Sequence, residues 1–277
     1  MSTSEVTEAP VATPTRRPRQ RSRGRKIATR IVVWILRVLV LVVPIYLWQL
    51  AVDQGWVGTF VASSPKAIGT RFWEWVQDGT IVQQTGYTLY EAVIGYLLGV
   101  VIGALLAVLF TTNRKLARIY LPMMGTLNAV PRLALAPLLL TWLGLGSSSK
   151  IALVTVVVLF VNFFAVYNGL KQVSAENTMW VESLGASNLD VWVHVRIPSV
   201  LRWLFSSLRV SVGLAVGAAV VAEFVGAANG LGYLISSGAN LFRTADVYAG
   251  LLVVVIVVAI IDSLLRLLER SLTQWSV

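Results

Sequence analysis

Six long apolar runs, separated by polar segments, follow one another along this chain of 277 residues. They lie at about 31–50, 86–110, 119–143, 150–170, 205–227 and 247–268. A helix crosses the hydrocarbon core of a bilayer with about 20 apolar residues, and each run reaches that length. The pattern predicts an all-α membrane protein with about six transmembrane helices in one domain over residues 31–270.

The segment between the first two runs has the pattern of an amphipathic helix. Ser64 and Pro65 are typical of an N-cap followed by a first turn, and Gly79 offers an end. Between them apolar residues recur at helical spacing: Ile68, Phe72, Trp75 and Val76. We expect this helix to lie on the outer membrane face with its tryptophans at the interface.

Two apolar runs carry small residues four positions apart. The second run has Gly95, Gly99 and Gly103, and the fifth has Gly213 and Gly217. Small residues at this spacing let helix backbones approach closely in lipid. Static packing is favoured over a sliding interface at both stripes.

The third apolar run is interrupted by Pro122, Pro131 and Pro137, and it contains Asn128 and Arg132. Proline removes a backbone donor and bends a helix, which lipid tolerates only where neighbours satisfy the freed carbonyls. An arginine at membrane depth seldom faces lipid. The run therefore predicts a broken helix in the protein interior, where Asn128 and Arg132 line a pathway.

Glu91 in the second run and Glu223 in the fifth are the acidic residues placed well within the spans. Each is either a pathway residue or a brace between helices. Arg132 has an equally open alternative, which is an ion pair with Glu91 or Glu223. Asn162 in the fourth run is interpreted as a hydrogen-bonding contact between helices.

Charge and composition define the orientation and exclude several classes of site. Residues 1–30 hold eight of the 23 Lys and Arg and read as a disordered basic tail, which favours contact with anionic lipid over nucleic acid. Seventeen basic residues fall on the side of this tail and four on the other, so both termini are predicted in the cytoplasm. With no cysteine and one histidine, the chain offers no thiolate or histidine metal cluster, and no cofactor is expected.

A cytosolic loop of about residues 171–201 connects the fourth and fifth runs. It holds Gly185, then nine residues, then Val195-Arg196-Ile197-Pro198. This spacing resembles the loop of permease subunits of binding-protein-dependent ABC importers, which reads E-A-A, three residues, G, nine residues, I-x-L-P. The chain departs from that pattern at Met179-Trp180-Val181, which stand at the E-A-A positions, and its Glu182 comes three places late.

Further segments are similar to the nitrate/sulfonate/taurine-type branch of that family. They are Thr88-Leu89-Tyr90-Glu91, the run Val130-Pro131-Arg132-Leu133-Ala134-Leu135-Ala136-Pro137-Leu138, and Gly230-Leu231-Gly232-Tyr233-Leu234-Ile235. The resemblance covers about residues 60–270. It implies the type I importer permease fold with a cytosolic coupling helix, in a multi-pass protein of a bacterial cytoplasmic membrane.

The resemblance also implies partners and a division of labour. A dimer of cytosolic ATPase subunits would hydrolyse ATP and dock on the loop, an extracytoplasmic binding protein would deliver the solute, and a second permease copy would complete a homodimer. This chain would not be an enzyme. The docking residues would be Met179, Trp180, Val181, Glu182, Leu184, Gly185, Ala186, Ser187, Val195, Ile197 and Pro198. For Trp180 docking is favoured over a lipid-interface position, and for Trp192 the two readings are equal.

The substrate class stays open. The branch handles nitrate, aliphatic sulfonates and taurine, and also vitamin precursors. Glu91 occupies a place where sulfonate-type relatives often carry arginine, which weakens an anion assignment. The alternative function is an ion-coupled secondary transporter, which would take up solute along a gradient without an ATPase; the chain shows no internal repeat of the kind such carriers have.

Overall fold

A computed structural model describes residues 23–58, 60–173, 179–181 and 183–273. Within these ranges the side chains of residues 23–31, 188, 202 and 268–273 lie outside the described part. Residues 1–22 of the predicted tail, residues 174–178 of the loop and the predicted docking residue Glu182 also lie outside it. The first helix begins at Arg23, eight residues before the predicted start of the first span.

All the regular secondary structure of the described chain is helical. Its elements are α1 Arg23–Asp53, α2 Pro65–Gln77, α3 Thr80–Thr112, α4 Arg114–Ala129, a 3-10 turn Arg132–Leu135, α5 Ala136–Leu143, α6 Ser147–Lys171, α7 Asn188–Val191, a π-helical turn Trp192–Arg196, α8 Ile197–Gly226, α9 Leu231–Asn240 and α10 Thr244–Thr273. The chain divides into two compact units, Met1–Leu50 and Ala51–Val277. In the first unit, the described part of α1 is apolar and its side chains from Val32 to Leu47 are exposed.

The number of membrane crossings agrees with the prediction. Five segments of the described chain are long and apolar enough to cross a bilayer, and α4 with α5 makes a sixth if this bent pair is one span. The two helices of the pair meet at 87°. Pro131 lies at the bend, whereas Pro122 is inside α4 and Pro137 is in the first turn of α5. The predicted break in this helix is therefore confirmed, and it lies at Pro131.

The glycine stripe of the second span brings α3 against α6. A Cβ atom at Gly95 would lie 2.5 Å from Val154 Cβ, one at Gly99 would lie 2.7 Å from Val158 Cβ, and one at Gly103 would lie 2.6 Å from the Leu159 carbonyl oxygen. Ordinary van der Waals contact begins near 3.5 Å, so only glycine fits. Close packing at this stripe is confirmed.

The second stripe behaves differently. A Cβ atom at Gly213 or Gly217 would meet nothing within 4 Å, and both residues are exposed. Within the described chain, therefore, no other helix approaches α8 closely at these two glycines. The side of α8 that packs inward consists of alanine and valine, among them Ala215 and Ala219, which spacing alone did not distinguish from the glycines.

Helix α2 has the predicted N-terminus. The Ser64 hydroxyl accepts a hydrogen bond from the Ala67 N–H at 3.1 Å, and Pro65 opens the first turn. Trp73 is exposed, whereas Trp75 is 4% exposed and packs inside the chain, so the predicted interface position is wrong for Trp75. Trp75 lies beneath Arg71, whose guanidinium bonds Asp246 of α10 at 2.7 Å and so fixes α2 to that helix.

Candidate functional site

The described chain holds a buried ion pair between α3 and α6. Lys150 Nζ lies 3.1 Å from Glu91 Oε1, and the two residues are 5% and 2% exposed. Lys150 belongs to the first turn of α6, although the sequence places it in a connection on the outer side. The alternative in which Glu91 pairs with Arg132 is wrong, because Lys150 occupies that position.

Glu223 lies in the last turn of α8 and is fully buried. Its Oε2 accepts the Gly232 N–H at 2.7 Å. Gly230 has φ +106°, and a Cβ atom there would lie 2.2 Å from the Glu223 carboxyl group. A left-handed φ and a carboxyl group in contact with the backbone both require glycine at this position.

Two side chains of α3 hold the same glycine segment from the other side. Gln84 Oε1 accepts the Gly230 N–H at 2.6 Å, and Thr88 Oγ1 accepts the Leu231 N–H at 2.9 Å. Both side chains are buried. The three consecutive N–H groups at the start of α9 are therefore all satisfied by side chains, as the unpaired first turn of a buried helix requires.

We call Glu91, Lys150 and Glu223 the buried charge cluster. It joins α3, α6, α8 and the start of α9, and the two glutamates predicted separately from the sequence interact with each other within it. Lys150 is the member that sequence reasoning missed. Two acids placed well within lipid-length runs indicate that a base is needed, since buried charges are paired, but this pattern does not identify Lys150 as that base.

A second polar group lies at the bend between α4 and α5. Arg132 donates from Nη2 to Asn128 Oδ1, and its guanidinium lies over the Phe160 ring at 5.6 Å. Its Nη1 is 3.5 Å from the Val157 carbonyl oxygen of α6. Asn128 and Arg132 are both half-buried. The structure thus brings the predicted pathway residues Asn128 and Arg132 together. In the described chain neither of them shares a hydrogen bond or ion pair with Glu91 or Glu223.

A third polar group joins α6 to α8 in the interior. Asn162 accepts from the Ser207 hydroxyl at 2.8 Å and donates to the Ser211 hydroxyl at 3.2 Å. All three side chains are buried. The interpretation of Asn162 as a contact between helices is confirmed.

The described part of the predicted docking loop presents apolar side chains outward. Met179, Trp180 and Leu184 are exposed, Trp180 by 67% and Leu184 by 84%. The backbone turns back at Gly185, which has φ +84°, and the Ala186 N–H reaches the Val181 carbonyl at 3.4 Å. Exposed large apolar residues next to a turn that requires glycine are typical of a surface that another protein covers.

The next helical stretch begins with a capping pair, Ser187 and Asp190. The Ser187 N–H donates to Asp190 Oδ2 at 2.9 Å, and the Asp190 N–H donates to the Ser187 hydroxyl at 3.3 Å. These are the reciprocal bonds of a capping box. Hydrogen bonds from the Ser187 hydroxyl and backbone N–H hold the pKa of the Asp190 carboxyl below its ordinary value.

Pro198 does not end this helical stretch. Helix α7 continues through the π-helical turn into α8, and Pro198 lies in the first turn of α8. The Ile197 N–H bonds the Trp192 carbonyl, five residues back. This wider turn carries the helix past a proline, whose ring would otherwise clash with the preceding turn. Val195 is half-buried, whereas Ile197 and Pro198 are exposed.

Trp192 is half-buried against the apolar core formed by α3 and α6, and the Arg196 guanidinium lies over its ring at 4.8 Å. His194 is exposed, with Nδ1 3.1 Å from the Asp190 carbonyl oxygen. Across the described residues, no group of three or more His, Asp and Glu is placed to hold a metal ion.

The known proteins to which this chain is similar are membrane components of transport systems. Residues 99–274 match the family described as binding-protein-dependent transport system inner membrane component. The chain is 30% identical over 243 residues to an aliphatic sulfonates transport permease of Bacillus subtilis, covering 87% of this chain and 88% of the relative. It is 29% identical over 231 residues to a riboflavin transport system permease of Chloroflexus aurantiacus, covering 82% and 85%.

Solved structures have the same fold. A chain of the MetNI methionine ABC transporter in an inward-facing conformation matches with a TM-score of 0.58 and 22% identity, over 67% of this chain and 92% of the other. A chain of an amino acid ABC transporter matches with a TM-score of 0.58 and 14% identity, over 72% and 98%. At these identities the likeness establishes the fold alone.

Proposed function

Because this chain belongs to the family of inner membrane components of binding-protein-dependent transport systems, we propose that it forms the solute pathway of an ATP-driven importer. It is an ABC transporter permease, a transport subunit embedded in the membrane by several apolar helices. The observation that carries the proposal is the family match over residues 99–274, which includes both the docking loop and the bend at Arg132.

ATP hydrolysis is assigned to a separate pair of ATPase subunits that dock on the loop. Support comes from Met179, Trp180 and Leu184, whose exposed side chains can act as apolar anchors beside the turn at Gly185. The capping pair at Ser187 and Asp190 supports the second half of the loop as an ordered contact surface. The predicted docking residue Glu182 belongs to the same proposal.

Co-purification tests this assignment. Trp180→Asp and Gly185→Trp should release the ATPase subunit, while Trp56→Asp should retain it. Trp56 is a suitable control because it is equally exposed but lies in the connection between α1 and α2. Retention of the ATPase by both loop variants would reject the docking role, and gradient-driven uptake by the purified chain alone would favour a secondary transporter.

The orientation follows from the charge distribution. We place both termini and the docking loop in the cytoplasm, and the connection holding α2 outside, where an external binding protein would deliver solute. A second copy of the chain is proposed to complete the pathway. Membrane lipid surrounds the assembly, and the basic residues before α1 are proposed to contact anionic headgroups.

We assign the solute to the small-molecule class of the relatives, which covers an aliphatic sulfonate, a taurine-like compound or a vitamin precursor. Arg132 and Asn128 are the favoured pathway residues, because they are half-buried at a bend and their polar groups are not enclosed as those of the buried charge cluster are. We also propose Glu91 and Glu223 as pathway residues, the role that the sequence predicts for them. Arg132→Ala and Asn128→Ala should reduce uptake in vesicles and leave ATPase retention unchanged; full uptake in both variants would remove them from the pathway.

A further inference from the structure

The buried charge cluster has an unequal number of acids and bases. Glu91, Glu223 and Lys150 are each at most 5% exposed; Lys150 contacts Glu91, and Glu223 interacts electrostatically with both. With every group ionised, two negative charges would face one positive charge in a dry interior. An uncompensated buried charge is strongly unfavourable, and such a group neutralises instead.

Each of the two glutamates has one carboxyl oxygen in a hydrogen bond and one that has no partner among the described residues. Glu91 uses Oε1 for Lys150, and Glu223 uses Oε2 for the Gly232 N–H. In the described chain neither Glu91 Oε2 nor Glu223 Oε1 has a hydrogen-bond partner, and both atoms are buried. The two carboxyl groups interact side chain to side chain. Two buried carboxylates that interact repel each other unless one of them binds a proton.

Within the described chain, the side chains that interact with the two glutamates do not donate a hydrogen bond to these oxygens. Thr88 interacts with Glu223, but its hydroxyl donates to the Gln84 carbonyl oxygen and accepts from Leu231. Ser147 interacts with Glu91 without closing a hydrogen bond to Oε2. Helices α5 and α9 carry no charged side chain, and Arg71 of α2 is paired with Asp246 of α10.

We propose that Glu91 and Glu223 bind one proton between them, with Glu223 Oε1 donating to Glu91 Oε2. Lys150 keeps its charge and stabilises Glu91 as the carboxylate, so the cluster is electrically neutral. The proton is taken from solvent and replaces the donor that the protein lacks. The bound proton joins the end of α8 to α3, next to the glycine segment that begins α9.

The cluster would then stabilise the contact between α3 and the end of α8 only while the proton is bound. Loss of the proton leaves a net negative charge in the interior and pushes the two carboxyl groups, and with them α3 and α8, apart. The isosteric change Glu223→Gln makes the neutral form permanent. The amide nitrogen can donate to Glu91 Oε2 while the amide oxygen accepts from Gly232, so both bonds persist without a proton.

Infrared spectroscopy of the purified full chain in lipid nanodiscs tests the proposal. A protonated carboxyl group gives a carbonyl band separate from those of carboxylates. The wild type should show this band at neutral pH, Glu223→Gln should lose it, and Glu74→Gln should retain it. Glu74 is a matched control because it is an exposed glutamate in an ion pair with Arg71. Absence of the band in wild type, or its persistence in Glu223→Gln, would overturn the proposal.

Two further variants keep the test decisive if Glu223→Gln folds poorly. In Glu91→Gln the remaining Glu223 takes over as the carboxylate that faces Lys150, so the band should again disappear. In Lys150→Met both glutamates should become neutral, and the band should grow. The opposite change in either variant contradicts a shared proton. These measurements need no ATPase, binding protein or solute, so their failure would leave the importer function untouched.

Discussion

Gly99→Ala tests the close contact between α3 and α6, the contact on which the arrangement of the spans depends. The added Cβ atom would lie 2.7 Å from Val158 Cβ and 2.8 Å from the Thr155 carbonyl oxygen. The second neighbour is backbone and cannot rotate away. The helices must therefore separate, which weakens the contacts along the whole stripe.

The magnitude is a balance of two effects. Alanine is more favourable than glycine within a helix by about 0.8–1.0 kcal/mol, whereas overpacking a tight contact typically costs about 1–3 kcal/mol. Because one clash is with backbone, the upper half of that range applies, and the net loss is about 1–2 kcal/mol. For a chain of this size that corresponds to a fall in melting temperature of roughly 2–8 °C.

The control lies on the same helix. Gly86 is exposed on α3, and a Cβ atom there would meet nothing within 4 Å. Gly86→Ala should therefore keep the helix-propensity gain and raise the melting temperature by roughly 2–4 °C. Thermal unfolding of both variants in the same detergent gives the comparison. A melting temperature of Gly99→Ala equal to or above that of Gly86→Ala would refute the packing argument.

Two other predictions concern the ion pair and the docking loop. Lys150→Met should lower stability by less than the roughly 3–5 kcal/mol that an unpaired buried charge costs, because Glu91 can bind a proton in its place, and adding Glu91→Gln should recover part of the loss; an additive double variant in thermal unfolding would contradict the pairing. The capping box should weaken as pH falls through the lowered pKa of Asp190, because hydrogen bonds to the carboxylate are charge-assisted and stronger than those to the neutral acid. Amide exchange at Ser187 and Asp190, measured from neutral to acidic pH and corrected for intrinsic rates, should rise in wild type and be high at every pH in Asp190→Ala, which has no acceptor; pH-independent protection in wild type would contradict it.

The spans and the glycine contact of α3 could be predicted from the sequence because each follows from a local pattern. Apolar length gives a crossing, and Gly95 and Gly103 repeat at the spacing of one helix face. The same spacing at Gly213 and Gly217 has no such contact in the described chain, since periodicity identifies a helix face without showing what packs against it. Whether a helix packs there depends on the positions of the other helices, which is not a local property of the sequence.

The partner of Glu91 could not be predicted for a related reason. Lys150 follows a serine-rich turn and looks like a residue in a connection, so its charge was counted on the outer side. In the structure α6 begins at Ser147, which places Lys150 in the first turn, against α3. Glu91 and Lys150 are far apart in the sequence, and only the packing of α3 on α6 brings them together.

Helix α8 links the docking loop to the buried charge cluster. A helical path without a break runs from the Ser187 cap through the π-helical turn, and α8 then extends for 30 residues, about 45 Å, with Glu223 in its last turn. In the proposed importer, an ATPase that moves the loop also moves the helix that carries one of the two proton-sharing carboxyl groups. Linkage is reciprocal: if docking changes proton binding, the proton changes docking affinity by the same factor. The affinity of the chain for the ATPase should therefore change more between mildly acidic and alkaline buffer in wild type than in Glu223→Gln. An equal pH dependence in the two proteins would show that the docking loop and the buried charge cluster are not energetically coupled.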